Sequence, residues 1–147
     1  MTPDGAAMME RQFETAAGGG WMITFDHIGF AVADYQRSKA FYEKALAPLG
    51  LKLLTEFSGA SAAFGRNDGE RPSLFIEADG EPVRGRLHIA LRAESRAQVD
   101  AFHAAAIEAG GIDNGAPGLR WYHPNYYGGY VLDPEGNNIE AVCHQPS

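Results

Sequence analysis

The chain has 147 residues, 45% of them hydrophobic, and a formal net charge of −7 from 12 Lys and Arg against 19 Asp and Glu. That length fits one domain with one core, and the few scattered basic residues exclude the clustered cationic face that nucleic acid or an anionic membrane surface requires. One cysteine, Cys143, supplies neither an internal disulfide nor a cysteine zinc site, and no apolar run approaches a membrane span, so a cytoplasmic protein held together by packing is expected.

Residues 1–20 lack sustained periodicity and end in Gly18-Gly19-Gly20, the composition of a flexible appended arm, leaving 21–147 as one domain. From Ile23 the pattern turns strand-like. Ile28, Phe30 and Val32 alternate with His27, Gly29 and Ala31, which puts the bulky apolar groups on one face and His27 among small residues on the other. Asp34 then suits a helix N-cap, Phe41, Tyr42, Ala45, Leu46 and Leu49 form a helical stripe, and Gly50 is a stop signal. Strands are predicted over Lys52–Phe57, Ser61–Arg66 and Ser73–Ala78.

The same phrase returns later in the chain. Leu87, Ile89 and Leu91 alternate with His88, Ala90 and Arg92, and Ser95 with Gln98 makes a capping box before a second stripe of Val99, Phe102, Ala106 and Ile107. His27 and His88, Phe41 and Phe102, and Gly50 and Gly111 share one spacing of 61 residues, the mark of an internal duplication. Further strands are predicted over Tyr126–Leu132 and Asn138–Cys143, joined by the turn Asp133-Pro134-Glu135-Gly136-Asn137, where Pro fits the early turn position and Gly the positive φ. The strand that should follow the second helix has no clear pattern. The expected fold is α+β: two βαβββ modules, about 22–80 and 86–144, in an open barrel-like mixed sheet around a cleft with helices outside.

Glu77 and Glu140 also recur, 63 residues apart, on the last strand of each module. Two imidazoles and two carboxylates on corresponding strands would suit one divalent ion, Zn, Ni, Co, Mn or Fe(II), the carboxylates neutralising its charge. Single strand histidines more often hydrogen-bond in a core or face solvent; the paired recurrence carries the metal reading. Tyr127 and Trp121, in an aromatic and polar run, and Arg92, on the His88 face, are candidate substrate contacts, although such aromatics also pack in cores and such an arginine also reaches solvent. His103, at the helix position of Tyr42, belongs to the helix side of its sheet. Cys143 lacks an activating base.

Asp26-His27-Ile28, the segment Ala33 to Ser38 with Phe41-Tyr42, Leu87-His88-Ile89-Ala90-Leu91, and Asp133 to Glu140 together resemble the vicinal-oxygen-chelate superfamily of glyoxalases, bleomycin- and fosfomycin-resistance proteins and extradiol dioxygenases. The resemblance covers about Met22 to His144. It implies metal ligands at His27, Glu77, His88 and Glu140, an ion that chelates two adjacent oxygens of a small-molecule substrate, and Glu140 or Glu77 as the base that forms an enediolate, as in a glyoxalase-like lyase or isomerase. The alternatives it allows, after that leading reading, are an Fe(II) ring-cleaving dioxygenase, which a fourth ligand at Glu77 would disfavour, and a drug-binding resistance protein without turnover. A homodimer is implied, with the modules pairing within one chain or exchanging between chains through the Gly80–Gly85 linker.

Overall fold

The computed structural model describes residues 25–69 and 71–147; the arm expected over 1–20 and the start of the first module near Met22 lie outside the described residues. Strand β1 (Ile28–Ala31) leads into helix α1 (Tyr35–Ala45), a 3₁₀ turn (Ala47–Leu49), and strands β2 (Lys52–Phe57), β3 (Ser61–Gly65) and β4 (Leu74–Glu77). The order repeats as β5 (His88–Arg92), α2 (Arg96–Glu108), β6 (Ile112–Leu119), β7 (Tyr127–Leu132) and β8 (Asn138–Cys143). Each module forms one four-stranded mixed sheet, β1-β4-β3-β2 and β5-β8-β7-β6, with a parallel pair at β1/β4 and β5/β8. The chain is thus an α+β fold of two βαβββ modules whose sheets stay open.

Local chemistry sets the helix starts. Asp34 accepts from the Arg37 amide at 3.1 Å, and Ser95 Oγ accepts from the Gln98 amide at 3.2 Å. Gln98 Oε1 in turn accepts from the Glu94 amide, one residue before the cap, so the reciprocal bond of a capping box is displaced by one position. In α2, Val99, Phe102 and Ala106 are buried but Ile107, expected on the same stripe, is 37% exposed. The helices touch each other, and their stripes share one core with Phe30, Val32, Phe64, Ile76, Ile89, Val131 and Ile139. Each such side chain taken fully from water contributes about 1.5–3 kcal/mol.

The strand without a clear pattern is β6. Its sequence, Ile112-Asp113-Asn114-Gly115-Ala116-Pro117-Gly118-Leu119, is interrupted by register shifts at Asp113/Gly115 and Gly115/Gly118. Proline and glycine at bulges are tolerated because β6 is the edge of its sheet, where a missing ladder donor costs least.

Gly50 and Gly111, paired by the repeat, serve different ends. Gly50 caps the 3₁₀ turn at φ +77°, whereas Gly111 is required by space: a Cβ there would lie 2.4 Å from Val131 Cγ1 and 2.8 Å from the Ala106 carbonyl. Gly110 takes the left-handed position after α2. Gly111→Ala should therefore destabilise the protein by about 1–3 kcal/mol through overpacking. Urea denaturation checks this, and a loss no larger than that of Gly118→Ala on the edge strand would refute it.

The turn after β7 joins the modules. Glu135 Oε1 accepts from the amides of Ala33 and Asp34 at the start of α1, and buried Asp133 accepts from the Tyr42 hydroxyl at 2.5 Å. Burial first, and then the Asp133 charge, push the Tyr42 phenol well above its ordinary value.

Candidate functional site

Because the helices cover one face of each sheet, the chemistry gathers on the other. β5 pairs with β8 in the register His88↔Asn138, Ala90↔Glu140 and Arg92↔Val142, setting Glu140 one strand over and two residues on from His88. The two side chains meet: His88 Nε2 lies 3.1 Å from Glu140 Oε2. His88 Nδ1 donates to the Asn138 carbonyl at 3.2 Å, which leaves Nε2 of a neutral ring as an acceptor. Two acceptors at that distance require a proton or a cation between them.

Glu140 is 1% exposed and is held by tyrosines. Tyr126 donates to its Oε1 at 2.5 Å, and Tyr130, cross-strand from Glu140 on β7, sets its phenol beside that pair and stacks on His88 with ring centroids 6.2 Å apart. Burial first, then the Glu140 charge, push the Tyr130 phenol up to about 12; burial and the bond to Glu140 raise Tyr126 further. Both hydroxyls therefore stay protonated donors. Gly128 makes room for them, since a Cβ at that position would come within 2.9 Å of Glu140 Oε1.

In module one, β1 pairs with β4 in the register Gly29↔Phe75 and Ala31↔Glu77. The 61-residue offset equates Gly29 with Ala90, so the residue that corresponds to Glu140 is Phe75, and Glu77 sits at the level of Val142. Glu77 keeps the right face but stands one pleat period, about 7 Å, further along an exposed strand end. Pairing the glutamates by residue type and spacing is thus corrected: the segments between the paired strands differ in length, and only the ladder fixes the equivalence. Phe75 instead packs edge-on against His27, with centroids 5.4 Å apart.

His27 itself has Nδ1 bonded to Asp26 Oδ1 at 2.6 Å, which orients the ring and leaves Nε2 for another partner. This bond, foremost, holds the Asp26 carboxyl below its ordinary value. Of the four donors expected from the sequence, the chain brings His88 and Glu140 together; His27 and Glu77 stand in the other module. Among the described residues of one chain, no three His, Cys, Asp or Glu side chains converge on a point where an ion would sit.

The substrate candidates separate. Arg92 and His27 line one cavity of about 360 Å³ between the modules, whose walls include Ile28, Leu74, Ile89 and Leu91. Tyr127 lies on the helix face instead: its hydroxyl donates to Asp100 of α2 at 2.7 Å and Arg96 covers its ring. Strand parity gives the Glu140 face to Tyr130 in place of Tyr127. Trp121 is 74% exposed and begins a chain of ring contacts through Tyr122 to Tyr126. Tyr130 could have been found from the sequence by counting back from the hairpin turn, because a two-residue step from Gly128 shares its face. His123 and His144 stack on each other at 4.8 Å beside Tyr126, and burial, aided by His123 and Arg92, lowers the His144 pKa.

Two open mixed sheets, each with a helix on one face and arranged as repeated βαβββ units, define a two-module α+β protein. The model of the Glyoxalase/Bleomycin resistance protein/Dioxygenase superfamily matches residues 24–141, and the chain belongs to that superfamily. A glyoxalase/bleomycin resistance protein from Albidiferax ferrireducens T118 is 31% identical, with 84% of this chain and 100% of that chain covered and a TM-score of 0.65. A glyoxalase I mutant from Zea mays is 26% identical over 80% of this chain and 45% of that one, with a TM-score of 0.57. Lactoylglutathione lyase from Agrobacterium tumefaciens, 21% identical over 85% and 96% with a TM-score of 0.59, shares the fold. No curated protein matches the chain.

Proposed function

We propose that this protein is a cytoplasmic, metal-dependent enzyme of glyoxalase type, a lyase or isomerase acting on a small substrate with two adjacent oxygens. The ligands in this reading are His27, His88 and Glu140. The observation that carries it is the 3.1 Å approach of His88 Nε2 to Glu140 Oε2. That separation is about what two donors near 2.1 Å from one ion keep at close to a right angle. Because the described residues of one chain bring together His88 and Glu140 without a third donor, His27 would come from module one of a second copy in a homodimer. When bound, the ion supplies Lewis acidity to the two substrate oxygens and leaves coordination positions for them.

The chain's own residues would do the rest. Glu140, desolvated and fixed by Tyr126, takes the proton from the carbon beside the chelated oxygens, and Tyr130 shields it from water. Arg92, which lines the cavity together with Arg66 and His27, would meet an anionic group on the substrate.

A second reading, ring-cleaving oxygenation with Fe(II), is favoured by one specific observation. Phe75 stands where the fourth ligand would correspond to Glu140, and two histidines with one carboxylate are the facial set of non-haem Fe(II) oxygenases.

Reconstitution with Co(II), Ni(II), Zn(II), Mn(II) and Fe(II), followed by elemental analysis and a screen of hydroxycarbonyl, thiol-conjugated and catechol substrates, tests both readings. One ion per chain and turnover with a hydroxycarbonyl or thiol conjugate are expected; turnover of catechols alone, with oxygen uptake, selects the second reading. Absence of metal uptake sinks both. Glu77→Gln should leave metal affinity unchanged, whereas Glu140→Gln should lose more than the about 100-fold typical of an outer-shell partner. Equal losses in the two variants would restore Glu77 to the ligand set.

A further inference from the structure

The cavity of about 360 Å³ between the modules joins an apolar wall to charged side chains. Leu49, Leu74 and Ile89 belong to the shared core, half-buried Leu51 packs against it, and all four line the space. Mostly apolar walls with a few charged groups are the make-up of a small-ligand site, and such sites span about 300–1,000 Å³. Two of the charged residues lie toward a second cavity of about 370 Å³, because Arg92 lines both spaces and Arg66, in the first lining, donates to Glu94 Oε1, in the second, at 3.2 Å. The second cavity is polar, with His144 and Gln145 beside Glu94, so an apolar group gains its burial only in the first. Asp26 and His27, the other charged or titratable side chains of the first lining, hold each other at 2.6 Å. The Arg66 and Glu94 side chains are 47% and 66% exposed, and an ion pair so open to water adds little to stability and is exchanged at little cost.

We infer that this cavity binds a monocarboxylate with an apolar body: the body covers Leu49, Leu74 and Ile89, and the carboxylate meets Arg92 and takes the place that Glu94 holds on Arg66. The inference rests on the reading above only in placing Arg92 at the substrate, and the binding it describes needs no metal. A guanidinium offers a planar pair of donors that matches a carboxylate, and Arg66 already holds one in Glu94. The exchange replaces one carboxylate by another on the same donors, while the apolar body removes core side chains from water, so the ligand supplies what Glu94 cannot.

The test is titration calorimetry of the full chain in chelator with straight-chain carboxylates from acetate to decanoate and with the matching alcohols. Affinity for the acids should rise about fourfold per methylene until the cavity is full. Octanoate should bind about 10-fold or more tighter than octanol, the worth of a charged hydrogen bond. Arg92→Gln should cost octanoate about that factor and leave octanol unchanged, whereas Glu94→Gln, which removes the competing carboxylate, should tighten octanoate about 2- to 5-fold. The second variant gains affinity, so it keeps the test open if Arg92→Gln folds poorly. Octanoate that binds no tighter than octanol, or equally to the Arg92→Gln and unsubstituted proteins, overturns the inference, and failure of Glu94→Gln to tighten binding overturns the exchange at Arg66. Octanoate binding by a protein that takes up no metal upholds this inference and removes the metal reading; metal uptake without octanoate binding does the reverse.

Discussion

Equal amounts of His27→Ala and Glu140→Gln chains, unfolded together and refolded as a mixture, should regain about one quarter of the metal sites of the unsubstituted protein, although each variant alone binds almost none. If a site takes His27 from one copy and His88 with Glu140 from another, half of the mixed dimers are heterodimers and one of the two sites in each is intact. The physical basis is the separation of donors: His88 and Glu140 meet on the uncovered face of one sheet, and no third His, Cys, Asp or Glu joins them among the described residues of the chain. Metal stoichiometry in the refolded mixture reads the result directly. If the mixture binds no more than the separate variants, the site lies within one chain and the shared-site reading is wrong.

The largest stability loss is expected for Asp133→Ala, at about 3–5 kcal/mol. Asp133 is 3% exposed, and its oxygens accept from the amides of Glu135 and Asn137 at 2.9 Å each, from Asn137 Nδ2 at 2.9 Å and from the Tyr42 hydroxyl at 2.5 Å. Removing the carboxylate leaves a hydroxyl in the core of module one and two turn amides of module two without partners. For a domain of this size the melting temperature should fall by about 10 °C or more. Tyr42→Phe should cost less, because Asp133 would keep three donors. Calorimetry on both variants decides the matter: a loss for Asp133→Ala no larger than that for Tyr42→Phe would mean that the turn relaxes and the two modules are not joined through this carboxylate.

The Asp133-to-Asn137 turn shows how a motif can be correctly placed and incompletely understood from residues alone. Its Pro and Gly announce a hairpin because they restrict φ locally, and the hairpin is there. Its acids do something that no local rule contains: Glu135 binds the start of α1 and Asp133 binds Tyr42, each about 100 residues away in sequence or nearly so. The edge strand β6 is the opposite case. Bulges and a proline erased its alternation, and pairing with β7 alone reveals it.

What the sequence determined by itself is whatever depends on short-range periodicity and on repetition. Strand alternation placed His27 and His88 opposite the core, the stripes and caps placed both helices, and the 61-residue repeat announced two modules of one design. Which carboxylate joins which histidine was decided only in three dimensions, because a strand ladder aligns residues by backbone hydrogen bonds and is indifferent to their identity or to the length of chain between them. The ladders put Glu140 beside His88 and Phe75 beside His27, and strand parity turned Tyr130 toward the acid and Tyr127 toward the helix.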